Sequence, residues 1–343
     1  MRTSARFIDH DEEATVLPVD FDVEAADSGA LDAADLALPI GTRLNEFEIL
    51  GLIGEGGFGM VYLAQDHALN RRVALKEYLP KTLAGRKGHL SVSVHSASHK
   101  ETFAAGLRSF INEAQLLAQF DHPSLVKVFR FWEANGTAYL VMPYYIGPTL
   151  RGALKTMEKL PDESWLRGLL IRMLDVLAVI HAGNCLHRDI APDNILLQSQ
   201  GGPVLLDFGA ARRVLNGEER ALTVILKPGY APIEQYAEAN AARQGAWTDL
   251  YALAGVAYYC LAGKAPLPAV ARVMSDEMPT ALSIGRGRFS EKLLQGIDKA
   301  LSLKPADRPQ DTEAMRRLLG LEEEKASRRW WQGLWQQKAV TAK

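Results

Sequence analysis

The chain has 343 residues, enough for one large two-lobed domain or two smaller ones, and 48% of them are hydrophobic, enough for a core. Its net charge of −2 lacks the basic excess of a nucleic-acid binder, so no nucleic-acid partner is expected. Cys185 and Cys260 are the only two cysteines and stand far apart, which excludes a disulfide scaffold and suits a reducing, cytoplasmic setting.

Residues 1–40 hold ten Asp/Glu against two Arg and show no sustained period, which reads as a disordered acidic tail rather than a secretory leader. Thr15 stands among those acids, and an ordinary tail threonine is preferred over a phosphosite. From Leu44 the texture changes. EFEILGLIGEGG and FGMVYLAQD read as two strands around a glycine turn, and RRVALKEYL as a third. Residues 81–107 hold His89, His95 and His99 and read as strand and solvated loop rather than a metal site. A helix fits RSFINEAQLLAQF (108–120), with Phe110, Ala114, Leu117 and Ala118 at helical spacing. LVKVFRFWE and TAYLVMPYY read as strands. Beyond Gly147 helices dominate, beginning with the long amphipathic ESWLRGLLIRMLDVLAVIHAG. LYALAGVAYYCLAG (250–263) is uncharged for 14 residues, short of the roughly 20 of a membrane span, and reads as a buried core helix. The expected class is α+β, with a small β-rich lobe of about 44–142, a larger helical lobe of about 146–320, and a cleft between them.

GEGGFGMV (54–61) matches G-x-G-x-x-G-x-V, in which glycines let a backbone approach phosphates closely. A dinucleotide-binding loop would lead into a helix, but here MVYLA continues as a strand, and the next strand carries VALK (73–76). Lys76 would reach the α- and β-phosphates, with Glu113 on the following helix as the carboxylate that holds it. HRDIAPDN (187–194) places Asp189 where a general base would accept the proton of an attacking hydroxyl, with Asn194 as a metal ligand. Thirteen residues after Asn194 comes DFG (207–209), whose Asp207 would hold Mg²⁺.

Taken in order, these motifs resemble the Hanks-type, eukaryotic-like Ser/Thr protein kinases of bacteria, and the resemblance runs from about Leu44 to Leu319. It implies the bilobal protein-kinase fold over 41–320 and an ATP- and Mg²⁺-dependent kinase (Mn²⁺ as a substitute) acting on protein Ser/Thr hydroxyls and on itself. It also implies an ATP site of Ile53, Gly54, Gly56, Gly57, Gly59, Val61, Ala74 and Lys76, with Met142 as gatekeeper and the backbone of Pro143 and Tyr145 facing adenine. Glu234 in PGYAPIEQY would pair with Arg308, and Asp249 would tie down the catalytic loop.

Two departures stand out. The family's lysine two residues after the catalytic aspartate is Ala191 here, and the threonine before the Pro-Gly-Tyr run is Lys227. In the family those two positions are neighbours, so a cation has moved across a contact. Lys227 is expected to reach toward Asp189 and the γ-phosphate and act in catalysis. A nucleotide-binding pseudokinase scaffold is the alternative that Ala191 allows, and retention of every base and metal residue counts against it. Thr223 is the only Ser/Thr between Asp207 and Glu234, where phosphate could pair with Arg188 and Arg212. In residues 321–343, Trp330, Trp331, Leu334 and Trp335 gather on one helical face beside Arg328 and Arg329. Packing or partner docking is preferred there over peripheral membrane contact.

Overall fold

In the computed structural model the described residues are 36–57, 59–199, 201–208, 226–236 and 244–322. They fall into two compact units, one of residues 36–121 and 126–148, the other of residues 122–125, 149–208, 226–236 and 244–322.

The first unit is built on a six-stranded sheet. Its strands are β1 (Arg43–Leu44), β2 (Phe47–Gly56), β3 (Gly59–Asp66), β4 (Arg71–Tyr78), β7 (Arg130–Ala134) and β8 (Thr137–Pro143), in the order β1-β2-β3-β4-β8-β7. A separate hairpin of β5 (Ala84–Lys87) and β6 (Ser91–Val94) lies between β4 and the helix α1 (Lys100–Leu117) in the chain. Alternation along β4 divides the sheet into two faces. Val61, Lys76 and Leu140 stand opposite one another, as do Leu63, Ala74 and Met142, so these six share one face. The other face carries Met60, Glu77 and Tyr139, with Tyr62, Leu75 and Val141 alongside.

That second face is closed by Arg86 of β5 and by the segment ahead of β1. Arg86 pairs with the fully buried Glu77 at 2.5 Å and donates to the Leu36 carbonyl at 2.7 Å. The Tyr62 hydroxyl donates to Glu77 at 2.9 Å and accepts from the Leu38 amide at 3.1 Å. Burial pushes the Tyr62 phenol up, and that of Tyr139 up to about 12. Leu36 and Leu38 are buried, an apolar end to a tail that reads as acidic throughout.

The second unit is helical. Its helices are α2 (Leu150–Thr156), α3 (Glu163–Ala182), α4 (Ala246–Ala262), α5 (Ala269–Met274), α6 (Ala281–Gly285), α7 (Glu291–Ala300) and α8 (Thr312–Leu319). Asp162 caps α3 by accepting from the Trp165 amide at 2.8 Å, and Asp311 caps α8 by accepting from Ala314 at 2.7 Å. Every residue of α4 from Thr248 to Leu261 is buried, so the 14-residue uncharged stretch is a core helix. Each large apolar side chain buried this way contributes about 1.5–3 kcal/mol. No helix among the described residues is long and apolar enough to cross a membrane. A hairpin in this unit pairs β9 (Ile195–Leu197) with β10 (Pro203–Leu205).

Three local expectations are corrected. Helix α1 begins at Lys100 rather than 108, because Phe103 already lies on its buried face and its ring stands 5.1 Å from that of Tyr78. The stretch expected as a strand from Leu125 becomes one only at Arg130, where pairing with β8 starts. The strand expected within residues 81–107 forms at Ser91–Val94, but it pairs with a second strand in place of a solvated loop, and Arg86 enters the core through that hairpin. His95 bonds the Lys81 carbonyl at 2.9 Å, and no metal-binding group of His, Cys, Asp or Glu occurs among the described residues. Residues 1–35 and 323–343, with Thr15 and Trp330, Trp331 and Trp335, lie outside the described residues, as do Phe58, Gly209, Arg212 and Thr223.

Candidate active site

In the first unit the residues expected to hold nucleotide come together on one face. Val61, Ala74, Lys76 and Met142 share the β3-β4-β8 ladder, with Ala74 and Met142 directly opposite and both buried. Ile53, Gly54 and Gly56 form the end of β2, and Gly54 pairs with Val61 across the hairpin. Gly57 is open, with no atom within 4 Å of a would-be Cβ. Gly59 is closely packed, since a Cβ there would lie 1.8 Å from the Glu77 carbonyl oxygen on β4. Tyr145 is half-buried, which pushes its phenol up, and its oxygen accepts from the Lys127 amide.

Lys76 Nζ lies 4.0 Å from Glu113 Oε1 and 5.8 Å from the centre of the Phe110 ring. The carboxylate is brought there by α1, which packs on β4 through Phe110 and through the Tyr78 hydroxyl, 3.2 Å from the Phe103 carbonyl.

In the second unit the 187–194 loop is held from several sides. Asp249 of α4 accepts from the amides of His187 at 2.9 Å and Arg188 at 2.7 Å, and its carboxylate lies 2.8 Å from His181 Nε2. Arg188 has φ +68°, a left-handed conformation rare for a residue with a side chain. Its carbonyl accepts from Gln235 Nε2 at 2.9 Å, so the strained residue is clamped at both ends. His187 is fully buried. Its Nε2 bonds the Leu206 carbonyl at 2.8 Å, its Nδ1 accepts from the Asp189 amide at 3.3 Å, and its ring lies 4.9 Å from that of Phe208. Burial pulls its pKa below the ordinary 6.5, against the nearby carboxylates, and keeps the ring neutral.

Asp189 itself is shaped by Asn194 and Lys227. Asn194 Nδ2 donates to Asp189 Oδ2 at 2.6 Å and to its carbonyl at 2.7 Å. Lys227 Nζ lies 3.8 Å from Asp189 Oδ2 and donates to Asn194 Oδ1 at 2.9 Å. Ala191 is fully buried. The β9-β10 hairpin brings Asp207 to the same loop, since Leu205 pairs with Ile195 and the Leu206 amide donates to the Asn194 carbonyl at 2.8 Å. Glu234 and Arg308 form a bidentate buried pair at 2.7 and 3.1 Å, and Thr248 donates to the same carboxylate at 2.9 Å.

A model of the protein kinase domain matches residues 47–318. The chain belongs to the protein kinase family. Among curated relatives it is 33% identical to the serine/threonine-protein kinase PknA of Nostoc sp., over 77% of this chain and 45% of PknA. It is 28% identical to the serine/threonine-protein kinase PknD of Mycobacterium tuberculosis, over 80% of this chain and 39% of PknD. The chain thus spans less than half the length of either relative. Among solved structures, the apo form of PpkA-294 matches with a TM-score of 0.77 and 47% identity, covering 83% of this chain and 99% of that one. The M. tuberculosis PknI kinase domain, at 23% identity and a TM-score of 0.62, shares the fold. The two units are therefore the β-rich and helical lobes of a kinase fold.

Sequence reasoning missed three features of these sites. Neither Gln235 as a clamp on Arg188, nor Lys227 bonding Asn194, nor Arg86 behind Lys76 has a signal in residue type. Only the paired departure at 191 and 227 pointed toward the second.

Proposed function

We propose that this kinase transfers the γ-phosphate of ATP to Ser/Thr hydroxyls of proteins. The observation that carries the reading is the Asp189 carboxylate, aimed by the Asn194 amide and accompanied by the Lys227 ammonium 3.8 Å away. In the transfer, the acceptor hydroxyl oxygen bonds to the γ-phosphorus as the bond to the β–γ bridging oxygen breaks. The hydroxyl proton passes to Asp189, and ADP leaves. Lys76, steadied by Glu113, holds the α- and β-phosphates, and the face of Val61, Ala74 and Met142 takes the adenine.

Asp207 fits Mg²⁺, a hard cation that prefers carboxylate oxygen and would neutralise charge on the phosphates. Lys227 supplies beside the base the charge that Ala191 lacks. That supports a working enzyme over a pseudokinase scaffold, since the missing lysine is the scaffold's one support.

Intact mass after incubation with Mg²⁺ and ATP tests this. Wild type should gain phosphate in steps of one, and Asp189→Asn should gain none while remaining folded. An unmodified wild type that still gains thermal stability with ATP would put the scaffold reading first.

A further inference from the structure

Lys227 does more than approach the base, because its ammonium is seated on Asn194. The amide is fixed at both ends: Nδ2 donates to two Asp189 oxygens at 2.6 and 2.7 Å, and Oδ1 accepts from Lys227 at 2.9 Å. Exchanging its oxygen and nitrogen would set an NH₂ against an ammonium and a carbonyl against two acceptors, so this orientation is chemically required. The oxygen engaged by Lys227 is the one that protein kinases offer to the second of their two divalent ions.

The lysine is launched from a fixed turn. The amides of Tyr230 and Ala231 both donate to its carbonyl at 3.1 Å. Gly229, at φ +86°, packs so that a Cβ would lie 2.5 Å from the Pro266 carbonyl. The side chains of Lys227 and Asp189 are only 14% and 8% exposed, so little water stands between these charges.

Resting on the kinase reading above, we propose that the Lys227 ammonium takes the place of the second divalent ion. Asp207 holds the single metal, and Asn194 serves as a seat for a cation that the chain itself supplies. A metal about 2.1 Å from Asn194 Oδ1 and an ammonium 2.9 Å from it would be at most about 5 Å apart, two cations sharing one sheltered oxygen. The tethered cation wins that contest because it needs no dehydration of a divalent ion and already neutralises Asp189. Its presence depends on the seating of residues 226–231, not on the concentration of free metal.

Mn²⁺ titration followed by electron paramagnetic resonance, at saturating β,γ-imido-ATP, counts the metals without any turnover. Wild type and Lys227→Arg should bind one Mn²⁺ per nucleotide complex. Lys227→Met should bind two, the second at least tenfold tighter than any further site in wild type, and Lys227→Met with Asn194→Ala should return to one. Should Lys227→Met fail to fold by thermal melt, Lys227→Gln takes its place, keeping a donor without the charge. Two Mn²⁺ in wild type, or one in the uncharged variant, overturns the proposal and leaves the kinase reading intact. No nucleotide-dependent Mn²⁺ in any variant, with no nucleotide-induced thermal shift, overturns the kinase reading itself.

Discussion

Lys76 and Glu77 are neighbours on β4, and each meets an opposite charge on its own side of the sheet. Glu77 and Arg86 are 2.5 Å apart with side-chain exposures of 0% and 4%, and Tyr62 bonds the same carboxylate. Lys76 and Glu113 are 4.0 Å apart, beyond hydrogen-bond distance, and Lys76 keeps 14% of its surface. The tight pair behaves as structure, because a buried charge with good hydrogen bonds is costly to break. The longer pair leaves its ammonium partly exposed, on the face that carries Val61, Ala74 and Met142. One strand thus carries a closed ion pair on one face and a longer one, at the proposed nucleotide site, on the other.

The sharpest way to break that division is Arg86→Met, which strands the buried Glu77. A loss of about 3–5 kcal/mol is expected in urea unfolding. Pairing it with Glu77→Leu should restore most of that loss, and the folded fraction should keep its KM for ATP within threefold. Lys76→Met is the converse. Phosphate transfer should fall about 10²- to 10³-fold in a radiolabel assay, the range seen when one preorganised charge donor is removed. Its melting temperature should drop far less than that of Arg86→Met, and equal drops would end the comparison.

Gly59→Ala probes the contact between the two hairpin strands, and overpacking against the Glu77 carbonyl should cost about 1–3 kcal/mol by thermal melt. The smallest effect carries the contrast into the helical unit. His187 is neutral when folded, with its pKa lowered by burial, so below 6.5 the unfolded chain takes up a proton that the folded chain refuses. The stability it contributes is complete above that pH. It is lost as pH falls toward the depressed value, by up to about 1.4 kcal/mol per pH unit. The pH 5–7 slope of the unfolding free energy should flatten in His187→Phe.

The chemistry was more legible than the scaffold around it. Motif chemistry demands particular residue types at particular spacings, so Lys76, Asp189, Asn194 and Asp207 could be singled out as candidates, and the pairing of Lys76 with Glu113 and the cluster of Asp189, Asn194 and Lys227 follow those candidates. The sheet around Lys76 was legible too, since β2, β3 and β4 alternate and are separated by glycine and polar turns. The β5-β6 hairpin was legible only in its second strand, where SVSV alternates. Its AGRK strand is short and carries two charges, and a buried arginine looks like a solvated one until its partner is placed. Helix α1 was read short because KETFAAG has one large apolar residue and a glycine, and its packing comes from Phe103 on Tyr78. Lys227 was expected at Asp189. Its hydrogen bond to Asn194 depends on how a turn launches one flexible side chain, which spacing cannot encode.

The Leu36–Leu38 segment has a practical consequence for where this protein can be cut. Family similarity begins at residue 47 and the change of texture at Leu44, so either invites a shortened clone starting near residue 41. Such a product would lack the carbonyl that Arg86 binds and the amide that Tyr62 accepts from, exposing polar groups and a side of the sheet that evolved covered. A recombinant fragment meant to express well should begin at or before Leu36.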